Sequence, residues 1–397
     1  MKNSYKLASI MLAAAFSMNA AEPVDTCFQF TDIKVNKTTS VKDQNKSGTC
    51  WSFSGISFME DELLKAGKGE YDLSEMFVVR QCYIDKAISY VRYYGQANFG
   101  EGAGLIDVPY VYDKYGMLPE EVYTGLQYGE DKHNHGELAA VLKAYLDEIV
   151  KNPNKKLSTA WLKGYIGILD AYLGEVPESF TYKGKTYTPR SFADMLGLNM
   201  SDYVPLTSYT HHDFYEPFVL EVPDNWMHGQ FYNLPLNEFK QVVDEAIDKG
   251  YTVLWAADVS EKGFKWYDGV ALMPKVDESK SMEGTELDKW VKLSSKERED
   301  KLYDFSGPVE EIEVTPEVRQ QGFDNYQTTD DHGMVIVGKA KDQKGNLYYK
   351  VKNSWDDDQV YKGYFYVSEP YFLAKTMSIM VNKNAMSKAT KEKLGLQ

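Results

Sequence analysis

Gln44-Asn45-Lys46-Ser47-Gly48-Thr49-Cys50-Trp51-Ser52-Phe53 is the stretch on which the reading of this chain turns. Beyond it Phe53, Ile56, Met59, Leu63 and Leu64 recur at helical spacing, and Gly67 and Gly69 stop the run. Cys50 therefore stands immediately before an amphipathic helix. A sulfur there faces the positive end of the helix dipole, which favours thiolate over thiol. Gly48 lets the backbone approach a ligand closely. Gln44 lies near enough upstream to fold back and aim its amide NH2 at an oxyanion beside Cys50. The same segment also reads as a buried cysteine at a helix start, so a partner for the thiol decides between the two.

Working outward, residues 27–46 are polar and alternate as an edge strand or extended entry segment would. Residues 73–95 form a second helical stretch, with Ser74 as its cap, and residues 99–104 are a glycine-rich loop. Residues 137–150 and 157–173 read as helices separated by Asn152-Pro153-Asn154. After a turn-rich middle come a helix at 236–249 and a strand at 252–258. Residues 276–301 are strongly charged and read as solvated helices or loops. The last third is strand-like at 333–340, 347–354 and 363–367, with Lys344-Gly345-Asn346 as a hairpin turn. Helices first, an irregular insertion, then an antiparallel sheet make an α+β layout.

That sheet supplies the partner. His332 opens the strand Gly333-Met334-Val335-Ile336-Val337-Gly338, and Asn353 and Trp355 end the next one. The hairpin between them brings Asn353 beside His332. An asparagine oxygen accepting from one imidazole nitrogen fixes the ring and leaves the other nitrogen to face the thiol. Trp355 can cover that hydrogen bond and keep water away.

The segments 44–53, 331–338 and 352–355 resemble the three catalytic blocks of the papain superfamily of cysteine peptidases. Leu73-Ser74-Glu75-Met76, residues 114–120, residues 232–236 and residues 254–259 are similar to its bleomycin hydrolase / aminopeptidase C branch. The resemblance runs over roughly residues 40–385. Cys50 and His332 are 282 residues apart, against the roughly 130–150 of simple papain-like enzymes, and a large insertion at that place marks the branch. The resemblance implies a papain-like fold, with a helical part carrying the nucleophile and an antiparallel sheet carrying His332. Behind a segment at 1–20 that reads by its own composition as a signal peptide, one peptidase domain is expected at 21–397, with an insertion over about 125–300. The resemblance implies a peptidase, most simply an aminopeptidase, in which Cys50 attacks the scissile carbonyl to form an acyl-enzyme. His332 would start as imidazolium paired with the thiolate, then protonate the leaving amine. Gln44 and the Cys50 N–H would hold the oxyanion. Gly102 and Gly104, by family position, would line the cleft and pair with the substrate backbone. No metal or organic cofactor is implied, and a homo-oligomer, hexameric in the family, is.

Ser47, Thr49 and Asp356 depart from the family pattern: a disulfide cysteine, a smaller residue and a glycine commonly stand at these places. None of the three removes a reacting group. A C-terminal arm restricts the family to N-terminal residues of peptides. Here the tail after Val381 is short and residues 386–394 read as helical. An open-cleft endopeptidase is the alternative within the same chemistry, and a catalytically silent peptide-binding or assembly protein the alternative from another class.

The formal net charge of -15 repels a polyanion and an anionic membrane surface, so nucleic acid is not an expected partner. Lys2, Lys6, the uncharged run at 7–18 and the small Ala20 and Ala21 read as a secretory signal, too short for a permanent span. An exported chain, periplasmic or extracellular, follows as an expectation. With three cysteines, Cys27, Cys50 and Cys82, at least one thiol stays unpaired within the monomer, and a Cys27–Cys82 disulfide is left open. His133-Asn134-His135 and His211-His212-Asp213 read as surface residues rather than metal ligands.

Overall fold

The computed structural model describes residues 28–152, 154–275, 303, 304 and 307–396. The expected signal segment with Cys27, and the charged stretch 276–301, lie outside the described residues. After strand β1 (Thr31–Val35) come helices α1 (Cys50–Lys65), α2 (Glu75–Arg92), α3 (Asp107–Tyr115), α4 (Gly136–Lys151) and α5 (Ala160–Leu173). A small ribbon, β2 (Phe180–Tyr182) with β3 (Lys185–Tyr187), leads to α6 (Pro189–Leu196). Then follow β4 (Tyr203–Thr207), β5 (Pro217–Val219), β6 (Gln230–Asn233), α7 (Leu236–Asp248), β7 (Val253–Ala257), β8 (Phe264–Lys265) and β9 (Val270–Ala271). The chain continues with α8 (Pro316–Asp324), β10 (His332–Lys341), β11 (Leu347–Lys352), β12 (Tyr364–Ser368), α9 (Glu369–Lys375), β13 (Thr376–Asn382) and α10 (Lys388–Lys393).

The strands form one sheet in the order β5-β6-β4-β13-β7-β10-β11-β12-β9-β8, with β1 added beside β10. It is antiparallel except at β4–β6 and β12–β9, so the expected antiparallel sheet carries two parallel pairs. The two main cores share the sheet, one drawing on Leu254, Val335 and Met380 and the other on Val253, Trp255 and Ile336. One gathers α1 to α6 around residues such as Phe58, Phe77, Val108 and Leu169. The other packs α7 on the sheet through Phe239, Val243, Trp255 and Ile336. The segment expected as an insertion supplies β4 and β7, next to β13 and β10, as well as much of the helical core.

Helix α1 joins the two halves, and this changes one reading. Its residues Trp51 to Leu63 are all buried, so it is enclosed on every side rather than amphipathic. The reason is position: α2 and α3 pack on it from one side, β7 and β10 from the other. Burial of its acidic triplet is made tolerable by specific donors. Glu60 accepts from the Leu73 N–H at 2.9 Å and the Thr39 hydroxyl at 2.7 Å, Asp61 from the Thr39 N–H at 3.1 Å, and Glu62 from Asn382 Nδ2 at 2.6 Å. Ser74 caps α2 as expected, accepting from the Phe77 N–H at 3.0 Å. The β10–β11 turn has Gly345 at φ +88° and an Asp342 carboxylate receiving the Lys344 and Asn346 N–H groups. Strand β10 is buried on both faces from His332 to Gly338, which is why its sequence is a continuous apolar run and not an alternation.

Candidate active site

Cys50 is the first residue of α1, and its thiol meets the start of β10 across the junction of helix and sheet. That approach leaves little room for a side chain at 333. A Cβ there would lie 2.6 Å from Ser54 Oγ, 3.3 Å from Trp51 Cα and 3.4 Å from the Cys50 carbonyl oxygen. Gly333→Ala should push β10, and His332 with it, off the helix. Because a misplacement of about 1 Å can cost about a hundredfold in rate, kcat/KM should fall by tenfold or more in a protein whose circular dichroism is unchanged. Retained activity would show that the contact does not set the geometry.

His332 Nε2 lies 2.7 Å from Asn353 Oδ1, which also accepts the Ser354 N–H at 2.8 Å. An oxygen can only accept, so Nε2 carries the proton and Nδ1 is left as the base in the neutral ring. Trp355 covers the imidazole with ring centroids 4.5 Å apart, and Trp266 packs edge-on against Trp355 at 5.5 Å. The histidine is only 5% exposed. Gln44 is held by the same segment. Its Oε1 accepts from Ser354 Oγ at 2.7 Å and its Nε2 donates to the Ser47 carbonyl at 2.8 Å. Those two bonds fix which end of the amide is NH2 and leave one of its two hydrogens for the cleft.

Electrostatics favour neutral groups taken one at a time. Burial pushes the Cys50 thiol up to about 12; the Gly333 amide opposes this, and the Asp330 and Asp224 carboxyls reinforce it. Burial pulls His332 down to about 4, against the stabilising Asn353 bond. A resting thiolate and a resting imidazolium, as the resemblance implied, are each disfavoured alone. They become accessible together, when one proton crosses from sulfur to Nδ1 and each charge neutralises the other beside the helix N-terminus.

The cavity bounded by these groups is about 320 Å³ and is lined by Gln44, Cys50, Gly102, Gly104, His332 and Trp355 among others. All seven residues singled out from the sequence thus meet here or, for Asn353, directly behind it. Gly104 differs in detail from the expectation. Its N–H goes to Asp107 Oδ2 at 2.8 Å and its carbonyl to the Asp107 N–H at 3.1 Å, so it has no open ladder position for a substrate backbone. Gly102 donates nothing to Lys86 but offers it its carbonyl. Asp224, Asp330, Leu220 and Phe231 also line the cavity and were not singled out; Asp330 stands two residues before His332, the one signal that pointed to it.

The departures from the family pattern have local reasons. Ser47 hydrogen-bonds the Gln44 carbonyl at 2.8 Å and the Thr49 hydroxyl at 2.6 Å, tying the loop without a disulfide. Asp356 has φ +65°, the conformation that favours glycine there. Its carboxylate compensates by accepting the Asp357 N–H at 2.8 Å and pairing with Lys132 at 3.3 Å. Cys82 is a free buried thiol bonded to Asp107 at 3.3 Å.

The histidine pairs need a correction. His133 and His135 are buried, 8% and 0% exposed, not surface residues. Their rings pack edge-on against each other at 5.6 Å, with His133 edge-on to Phe53 at 5.8 Å and His135 to Tyr128 at 6.4 Å, and burial pulls His135 down to about 4. The apolar wall beside the Gln44 loop draws them in. His211 and His212 are on the surface, where both hydrogen-bond Glu221, at 3.2 and 2.9 Å. These three could hold a metal ion. Among the described residues no helix is long and apolar enough to cross a membrane.

Residues 27–141 match the papain family cysteine protease profile and residues 301–396 the peptidase C1-like family profile. The chain is 22% identical to aminopeptidase C of Lactococcus lactis subsp. cremoris, over 87% of this chain and 81% of that protein. It is equally similar to aminopeptidase C of Lactobacillus delbrueckii subsp. lactis, over 87% and 80%. The fold matches the crystal structure of PepW from Lactobacillus rhamnosis HN001 with a TM-score of 0.67 and 18% identity, over 92% of this chain and 84% of that one. The chain is a papain-like cysteine peptidase of α+β fold. Within that class it is related to the bleomycin hydrolase / aminopeptidase C branch.

Proposed function

We propose that the protein is an aminopeptidase that releases N-terminal residues from peptides through Cys50, His332 and Asn353. The observation that carries the chemistry is the hydrogen bond from His332 Nε2 to Asn353, because it leaves Nδ1 as the base in the cavity that Cys50 lines. On substrate binding, Nδ1 takes the thiol proton as sulfur adds to the scissile carbonyl. The same nitrogen returns that proton to the leaving amine, and water then hydrolyses the thioester. The free hydrogen of Gln44 Nε2 and the Cys50 N–H, which has no partner four residues back in the helix, are the donors for the oxyanion. Export to the periplasm or medium is part of the proposal, resting on the basic start and apolar run of residues 2–18.

The N-terminal preference is supported by the relatives' names and by the segment 220–231, which brings Leu220, Asp224 and Phe231 into the lining of the cleft. Among the described residues none after Ser378 lines the cleft. The tail instead packs on α7, where Lys393 pairs with Glu238 at 2.8 Å. Cleavage of alanyl-7-amido-4-methylcoumarin and its N-acetyl counterpart tests the reading. The free amine should be the better substrate by at least tenfold; efficient turnover of the blocked one would instead define an endopeptidase.

A further inference from the structure

The cleft is lined by three carboxyls, Asp224, Asp330 and Asp331, and by no lysine or arginine among the described residues. Two of the three are committed elsewhere to different degrees. Asp331 accepts from the Ser260 N–H at 3.1 Å and Thr329 Oγ1 at 2.8 Å. Asp224 receives Asn98 Nδ2 at 3.1 Å. Asp330 accepts no hydrogen bond among the described residues, although burial, with Asp224 and Asp331 adding repulsion, pushes its carboxyl up to about 7. A carboxyl turned into a cavity without a donor is a group awaiting a cation. Asp224 and Asp330 line the same cavity as Cys50, so a cation held by them would share the cleft with the scissile bond.

Asp224 also lies against the glycine loop. Its Oδ2 would be 2.1 Å, and its Cγ 2.7 Å, from a Cβ placed on Gly102. The carboxyl therefore lies directly on the glycine loop, where an extended substrate would continue past its first residue. Lys86, whose charge acts on Asp224, is engaged by the carbonyls of Gly100 and Gly102 and does not line the cavity.

We propose that Asp330 and Asp224 form an ammonium-binding subsite that takes the α-amino group of the substrate's first residue and ends the cleft there. The ammonium donates to the open Asp330 carboxylate and to Asp224, while the neighbouring Leu220, Val222 and Phe231 keep the subsite partly dry and the interaction strong. An acetylated amine carries no charge and adds bulk against Asp224. This inference rests on the aminopeptidase reading and names the residues that would enforce it.

The test compares wild type with Asp330→Asn and Asp224→Asn, each keeping the shape and removing the charge. The substrates are alanyl-, N-acetylalanyl-, N-acetyl-lysyl-alanyl- and N-acetyl-norleucyl-alanyl-7-amido-4-methylcoumarin. The ratio of kcat/KM for free over acetylated alanine should fall by roughly tenfold to a hundredfold in each variant, mostly through KM. Iodoacetamide labelling of Cys50 should be at least as fast as in wild type, because each substitution removes a carboxylate that holds the thiol up, whereas a lost fold would abolish the paired thiol's reactivity; this separates a lost subsite from a lost fold. Should one variant fail to fold, the other decides. If wild type prefers the free amine and a folded variant keeps that preference, the subsite is overturned while the aminopeptidase reading stands. If wild type prefers the acetylated alanine, the aminopeptidase reading itself falls. If the variants lose only the preference for acetylated lysine over norleucine, the subsite reads a side-chain ammonium and the proposal is overturned.

Discussion

His332→Ala should lower kcat/KM for peptide hydrolysis by at least about 10⁴-fold, as removal of a base that acts as a unit with its nucleophile does. The cause is visible in the thiol's surroundings. With burial pushing Cys50 up to about 12, only a minute fraction is thiolate near neutrality, and the imidazole is the one group in the cleft placed to take the proton. Iodoacetamide labelling of Cys50 against pH reads this directly. In wild type the thiol should react rapidly well below the ordinary thiol value of about 8.5, because thiolate and imidazolium form together. In His332→Ala labelling at pH 7 should slow by at least about a hundredfold, and the curve should move to high pH. Equal labelling curves in the two proteins would mean that no proton passes between the groups. The inert Cys82, fully buried against Asp107, should not interfere.

Gln44→Ala should reduce kcat by roughly 10²–10³-fold, equivalent to about 2.7–4 kcal/mol of transition-state stabilisation, with KM nearly unchanged. The ground-state carbonyl needs the amide less than the tetrahedral oxyanion does, so the loss falls on the chemical step. Gln44 Oε1 is anchored by Ser354 and Nε2 by the Ser47 carbonyl, so the remaining hydrogen is held ready rather than recruited. Its backbone N–H bonds to the Ser354 carbonyl at 2.9 Å, and that bond survives the substitution, so the loop should stay in place. A rise in KM with kcat preserved would assign Gln44 to substrate binding alone.

Much of this site was legible because its signals are local. The helix after Cys50, the strand after His332 and the hairpin to Asn353 are each written in one short segment with its own punctuation at Gly67, Gly69 and Gly345. Strand β10 pairs with β11 from Val335↔Lys352 onward, which is the register needed to put Asn353 behind His332. Elements without such punctuation were missed. Helix α3 starts without a side-chain cap and holds Pro109 in its first turn. Strand β13 is buried along its whole length between β4 and β7, so no alternation marks it.

What depends on distant segments was hidden. The enclosure of α1 follows from β7 and β10 closing on its far side, which the apolar spacing of one face alone does not show. The burial of His133 and His135 follows from packing around the Gln44 loop. The carboxyls of Asp224 and Asp330, far apart in sequence, meet only in the cleft. By itself the sequence determined the candidate site residues Gln44, Cys50, His332 and Asn353, their order and the helix and hairpin that present them, because those depend on neighbours within a few residues. The tertiary structure alone decided the charge balance of the cleft, the tautomer of His332 and the burial of His133 and His135, because each depends on groups brought together by long-range packing.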